Sequence, residues 1–192
     1  MPSPIQICDW LWTVWLVIWL LWAFQSKQTR QKESGLSRLS YALPVWAAAY
    51  LLFAAKSLPG WWNAEVFSNR PWLGWLAVAI TAVGFAFSIW ARAYLGSNWS
   101  GAVTIKVDHE LIRTGPYRLV RHPIYTGILV AAFGTALAYD RWRVVIVLPV
   151  LWLAFTIKRL KEEQFMRQTF GSQYDDYACT TGAIFPLKLN LH

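Results

Sequence analysis

The sequence predicts an all-α integral membrane protein with five transmembrane helices, the last two forming a helical hairpin, followed by a cytoplasmic C-terminal tail. Three observations carry that expectation. Hydrophobic residues make up 56% of the 192 positions and charged residues only 15%, against the roughly 25% charged of soluble domains. The apolar residues fall into blocks instead of an amphipathic rhythm. The cations, in turn, cluster on alternate connections between those blocks.

The first block covers residues 5–24, with Asp9 its one charge. The second covers 39–58, interrupted by Pro44 and closed by Lys56, and the third covers 72–95, with Arg92 near its end. A helix rises 1.5 Å per residue, so about 20 residues cross the hydrocarbon core and each of these blocks is long enough. Two shorter blocks follow at 124–139 and 144–157. Runs of that length also suit buried helices of soluble proteins. The stretch Tyr139-Asp140-Arg141-Trp142-Arg143 between them reads as a tight interfacial turn, which makes the pair a hairpin. No Lys or Arg precedes Lys27, so the first block lacks the charged start of a signal peptide and is expected to be retained.

Five spans put successive loops on alternating sides. Lys27, Arg30, Lys32 and Arg38 fall in the first loop; Arg92, Lys106, Arg113, Arg118 and Arg121 fall at or within the third; Lys158, Arg159, Lys161, Arg167 and Lys188 follow the fifth span. That places 14 of 18 cations on one side, against Lys56, Arg70, Arg141 and Arg143 on the other. The positive-inside rule then sets the N-terminus outside and the third loop and tail in the cytoplasm, in the inner membrane if the chain is prokaryotic. Topology thereby accounts for most of the net charge of +8, and no nucleic-acid partner is expected. Trp10, Trp22, Trp61, Trp62, Trp72 and Trp142 lie near block ends, where aromatic belts form. Trp12, Trp15 and Trp19 follow helical spacing and are expected to pack or face lipid. Cys8, Cys179 and the three histidines (His109, His122, His192) show no metal-ligand spacing, so no metal is expected. No Gly-rich phosphate loop occurs.

The candidate chemistry lies in two segments on the expected cytoplasmic side. One runs from "LGSNWSGAV" through "GPYRLVRHPIYTG", the other is "KRLKEEQFMRQTFGSQYDDYACTTGAIFPL". Proline suits a helix's first turn, so Pro123 is expected to start the fourth helix with His122 just before it. Unpaired N–H groups there suit anionic or polar ligands. Headgroup anchoring would also account for Arg118, Arg121 and His122, but not for Tyr125 and Gly127. Glu162 and Glu163 oppose the dipole of a helix ending there. Either Lys158, Arg159 and Lys161 neutralise them as a surface network, or one carboxylate holds a cationic or hydroxyl-bearing part of a ligand. "FGSQYDDY" reads as a helix end at Gly171 and an aromatic turn, with Tyr174 and Tyr177 packing or touching ligand. Residues 25–38 read as a solvated loop.

Together, "GPYRLVRHPIYTG", "EEQFMRQTFGSQYDDY" about 35 residues later, "GAIFP" and the upstream "LGSNWS" resemble the isoprenylcysteine carboxyl methyltransferase family, including its short five-helix prokaryotic members. The likeness covers residues 95–187, and the first three helices match only as hydrophobic spans. It divides the chain into helices one to three with their loops, residues 1–94, and a methyltransferase-like region, residues 95–192, within one structural domain. It implies S-adenosyl-L-methionine as cofactor, bound between the fourth and fifth helices and the tail. The implied cofactor residues are His122, Pro123, Ile124 and Tyr125 with Gly115 nearby, then Glu162 supported by Glu163. Val130, Thr135, Ala136, Leu137 and Ala138 would line the pocket from the fourth helix. The family arginine that holds the substrate carboxylate falls here on Lys158, with Arg159 beside it. Lysine offers a point charge in place of a bidentate fork, so either residue serves or the substrate differs.

The implied activity is O-methylation of a carboxylate on a lipophilic or isoprenylcysteine-like acceptor, with the bilayer as the other partner. A carboxylate is already ionised at neutral pH and needs no base. An amine or phenol would need one, for which His122 is the candidate. Membrane sterol reductases carry a similar RHPxY, so an NADPH-dependent reductase is the alternative enzyme. The EE pair followed by FGxxYxxY argues against it. A non-enzymatic membrane scaffold is the third possibility.

Overall fold

The computed structural model describes residues 1–23, 29–54, 60–66, 70–99, 104–106 and 110–186. Six α-helices dominate it: α1 (Pro4–Ala23), α2 (Gly35–Ala49, continued by a wider π turn at Tyr50–Ala54), α3 (Pro71–Leu95), α4 (Pro123–Tyr139), α5 (Trp142–Phe170) and α6 (Ser172–Thr180). Three helical stretches, Pro4–Ala23, Gly35–Phe53 and Pro71–Asn98, are long and apolar enough to cross a membrane, and α4 is a shorter apolar helix. A two-residue turn joins α4 to α5, with Asp140 in the left-handed conformation that ends α4 (φ 46°). The two helices pack together as the expected hairpin.

α3 and α4 form the most extensive helix contact. Its basis is a stripe of small residues: Ala77, Thr81, Gly84 and Ser88 on α3 are buried against Gly127, Ala131 and Gly134 on α4. A Cβ on Gly84 would lie 2.5 Å from the Ala131 backbone N, and one on Gly127 would lie 2.5 Å from the Gly84 carbonyl O. Close backbone approach through small residues is what holds helices together where lipid removes the hydrophobic drive. Polar side chains add to it. Trp12 Nε1 donates to Thr135 Oγ1 (3.0 Å) and Trp15 Nε1 to Ser88 Oγ (2.8 Å), which ties α1 across both helices. These two tryptophans therefore face the core.

The helix ends sort into two groups. At one, Asp9 Oδ1 accepts from the Tyr139 hydroxyl (2.9 Å), and Glu65 pairs with Arg141 (3.4 Å) next to the α4–α5 turn. At the other, residues 29–32 (β1) pair antiparallel with 104–106 (β2), so the first and third connections meet. This ribbon lies within what reads from sequence as a solvated loop. Two further features differ from the sequence expectation. α5 does not stop with its apolar run; it continues to Phe170, since nothing between 158 and 170 breaks a helix. After Gly171 (φ 52°) the expected turn is the helix α6, and residues 181–186 fold back onto the segment before α4. The expected tail is therefore packed structure as far as residue 186.

Candidate functional site

The segment "RHP" is held by backbone pairing. Arg121 N–H donates to Gly182 O (2.8 Å) and His122 N–H to Ala183 O (2.9 Å). One turn into α4, Thr126 Oγ1 donates to Ile184 O (2.6 Å). "GAIFP" thus acts through its carbonyls, which explains why its own side chains show no chemistry. Pro123 opens α4 with His122 as the residue before it, as the proline rule requires.

Side chains then converge from α5. Arg121 donates from Nη2 (3.0 Å) and Nε (3.3 Å) to Glu163 Oε1. Its Nη1 donates to the carbonyls of Ala178 (3.0 Å) and Thr181 at the end of α6, where a cation suits the helix dipole. His122 lies between the two acids, with Nε2 3.1 Å from Glu163 Oε1 and Nδ1 3.5 Å from Glu162 Oε2. The Tyr125 hydroxyl donates to Glu162 Oε1 at 2.6 Å. Its ring is stacked between His122 (5.4 Å) and Phe155 (4.8 Å). Lys158 Nζ lies 3.9 Å from Glu162, and Arg159 Nη1 lies 3.6 Å from Glu163. Because α5 runs on past these acids for two turns, they sit on a helix wall and not at a dipole end.

Burial alone would disfavour charge on all three central groups, but their mutual contacts outweigh it. Desolvation lowers the His122 pKa, yet hydrogen bonds and the charges of Glu162 and Glu163 raise it above its ordinary value. Glu162 is lowered despite burial, through His122 and the Lys158 charge. Glu163, 3% exposed, is likewise lowered to about 2 by His122 and Arg121. Burial pushes Tyr177, on α6, up to about 12; its hydroxyl donates to Tyr117 O at 2.5 Å, closing α6 onto the 3₁₀ turn Gly115–Arg118.

These groups border a cavity of about 660 Å³. His122, Pro123, Ile124, Tyr125, Lys158 and Glu162 line it directly. Glu163 and Arg159 stand behind that wall. Gly115, with φ 59° and a Tyr94 ring where a Cβ would go, shapes the turn carrying Tyr117. Val130 lies on a separate apolar groove between α4 and α5. Thr135 is buried in the α1–α3–α4 contact through Trp12 and Thr81, and it shares the C-terminal half of α4 with Ala136, Leu137 and Ala138, so the cavity does not bring this group together with His122. Arg118 is exposed. His109, His192, Lys27, Lys56 and Lys188 lie outside the described residues.

Several cavity residues were given no individual site role by the sequence. Trp19 and Leu20 of α1 and Val45 and Trp46 of α2 form an apolar end, and Arg38 lies at the start of α2. Asn98 and Trp99, inside "LGSNWS", form another wall. Arg92 places them: it donates to Trp22 O (2.8 Å) and Gly96 O (2.7 Å), with its guanidinium 4.4 Å from the Trp99 ring. Asn98 is 8% exposed, and among the described residues its Oδ1 has no hydrogen-bond partner.

The sequence profile of the phospholipid methyltransferase family matches residues 72–173, more than half of the chain, including Asn98, Arg121 to Tyr125 and Lys158 to Glu163. The chain belongs to that family. Within this methyltransferase family, the resemblance to isoprenylcysteine carboxyl methyltransferases is borne out by relatives. A probable protein-S-isoprenylcysteine O-methyltransferase of Oryza sativa is 32% identical over 109 residues, covering 55% of this chain and 57% of the rice protein. The Saccharomyces cerevisiae enzyme of the same description is 35% identical over 94 residues, 47% of this chain and 39% of that one. A cobalt-zinc-cadmium resistance protein of Cupriavidus metallidurans is 28% identical over 149 residues, 77% of this chain and 62% of that one. The chain thus spans little more than half the length of the rice relative. In fold it is similar to a eukaryotic intramembrane Ras methyltransferase, the isoprenylcysteine carboxyl methyltransferase, with a TM-score of 0.57, 23% identity, and coverage of 79% of this chain and 51% of that one.

Proposed function

We propose that this chain is an S-adenosylmethionine-dependent methyltransferase that acts on a carboxylate of a lipophilic, isoprenylcysteine-like acceptor. The observation that carries this is a single cavity whose polar wall, His122, Tyr125, Lys158 and Glu162, continues into an apolar end at Trp19, Leu20, Val45 and Trp46. Five helices cross the membrane in this reading, with the N-terminus outside and residues 95–192 bearing the chemistry at the cytoplasmic surface. The pairing of the first connection with the third supports that alternation.

The residues present fit the cofactor. The volume lies within the roughly 300–1,000 Å³ of small-molecule sites. Asn98 offers a buried carbonyl, unpaired among the described residues, to a donor such as an amine or hydroxyl. Glu162 is held ionised on the cavity wall. His122, Pro123, Ile124, Tyr125 and Glu162 would hold the cofactor, with Glu163 and Gly115 behind them. S-adenosylmethionine supplies a methyl group already activated on sulfur. The protein's remaining task is alignment and exclusion of water. Arg121 and His122 lock Glu163, and Tyr125 locks Glu162, so the acid reaches its ligand without reorganising. A carboxylate acceptor requires no proton transfer, and the ion-paired His122 is not asked to act as a base. A thermal-shift panel in detergent tests the assignment: S-adenosylhomocysteine raises the melting temperature and NADPH does not. The reverse ranking would favour a reductase.

A further inference from the structure

We infer that Arg38, on the first turn of α2, is the residue that holds the acceptor's carboxylate; this rests on the methyltransferase reading above. The cavity's other cations are engaged. Arg121 pairs with Glu163, His122 with both acids, and Lys158 with Glu162. Arg38 lines the same cavity, and among the described residues its side chain makes no hydrogen bond or ion pair, Glu110 on the cavity wall included. Arg38 itself is exposed, and the turn that carries it is fixed by its neighbours. Ser34 Oγ caps α2 by accepting from Ser37 N–H (3.2 Å). Lys161 of α5 donates to Ser37 O (2.7 Å), Ser37 Oγ (2.8 Å) and Ser40 Oγ (2.7 Å), clamping the turn that carries Arg38 onto the helix that carries Glu162. Lys158 Nζ, 5.4 Å from both the Tyr41 and Tyr125 rings, stands between that turn and the cofactor wall.

The order of residues along α2 suits the same acceptor. Arg38 and Val45 are seven residues apart, two turns on one helical face, with Trp46 beside them, and all three line the cavity. A cation at the outer end followed by apolar side chains matches an amphiphile with an anionic head and a greasy tail. A guanidinium offers such a head the two-pronged grip that Lys158 lacks. A carboxylate oxygen of that head takes the methyl group: the O–C bond forms as the methyl–sulfur bond breaks with its electron pair left on sulfur, and no proton moves. The ester product is neutral, so the attraction to Arg38 is lost on turnover and release is favoured.

The test is equilibrium binding of N-acetyl-S-farnesyl-L-cysteine and of its methyl ester to the full chain in detergent, without cofactor, followed by tryptophan fluorescence. Wild type is expected to prefer the free acid about tenfold, as for a charge-assisted contact near a surface. Arg38→Gln removes that preference, Arg38→Lys keeps part of it, and all three proteins bind S-adenosylhomocysteine equally. An unchanged acid-to-ester ratio in Arg38→Gln overturns the assignment, as does displacement of the acid by dioleoylphosphatidylglycerol from a wild type indifferent to methylation. Wild type that binds S-adenosylhomocysteine but prefers neither probe overturns this inference alone. Wild type that binds no S-adenosylhomocysteine overturns the methyltransferase reading and this inference with it.

Discussion

Glu163 makes the clearest case at the scale of single residues. It accepts from Arg121 and His122 while almost fully buried, so its removal leaves a guanidinium without its counter-charge in a low-dielectric site. Glu163→Ala is expected to cost about 3–5 kcal/mol, seen as a large drop in melting temperature. His122 gives the pH dependence. Its native pKa is raised above the ordinary value near ~6.5, so its contribution is complete below that pH and is lost as pH rises through the native value. Glu163, lowered to about 2, contributes above the ordinary carboxylate range and loses that contribution as pH falls toward 2. Melting temperature should therefore decline on the alkaline side of about 6.5 in wild type, and His122→Gln should flatten that decline. A wild-type curve flat from 6 to about 9 would contradict the pairing. His122, Tyr125, Glu162 and Glu163 were legible in sequence because proline-breaking and misplaced acids are local signals. Asn98 was legible only as part of "LGSNWS", and Arg38 only as a cation of the first loop. Nothing in a lone asparagine or loop arginine shows that a buried Arg92 will hold the turn at Gly96, or that Lys161 will clamp the turn carrying Arg38 beside a cavity.

Among the elements, the α3–α4 contact does most to position the site, since α4 carries the His122–Tyr125 turn on one end. Gly84→Leu would drive a side chain into the Ala131 backbone and should cost about 1–3 kcal/mol, or force the helices apart. Gly35→Ala, where a Cβ meets nothing within 4 Å, is the matched control and should be near neutral. Equal effects on thermal unfolding would rule out the small-residue seam. The hydrophobic blocks located the cores of α1 to α5 because length and apolarity are read directly. The continuation of α5 to Phe170 and the existence of α6 were hidden, since "KEEQFMRQ" and "SQYDDYACT" are polar and lean on the tail and on Tyr117 for their stability.

For the whole molecule, the grouping of helix ends makes a topological prediction. Glu65 lies with the α4–α5 turn, whereas Cys179, which is exposed, lies beyond α5 beside the site. In intact cells an impermeant maleimide should label Glu65→Cys from outside, and Cys179 only after permeabilisation. The opposite pattern would invert the protein in its membrane. Binding of the methyl donor by the wall of His122, Tyr125 and Glu162 is tested most directly by calorimetric titration of the detergent-solubilised chain with S-adenosylhomocysteine. Saturable binding by wild type, and its loss in a Glu162→Ala variant that keeps a cooperative melt, is the predicted result. Equal affinity in the two proteins, or no binding by a well-folded wild type, would contradict it.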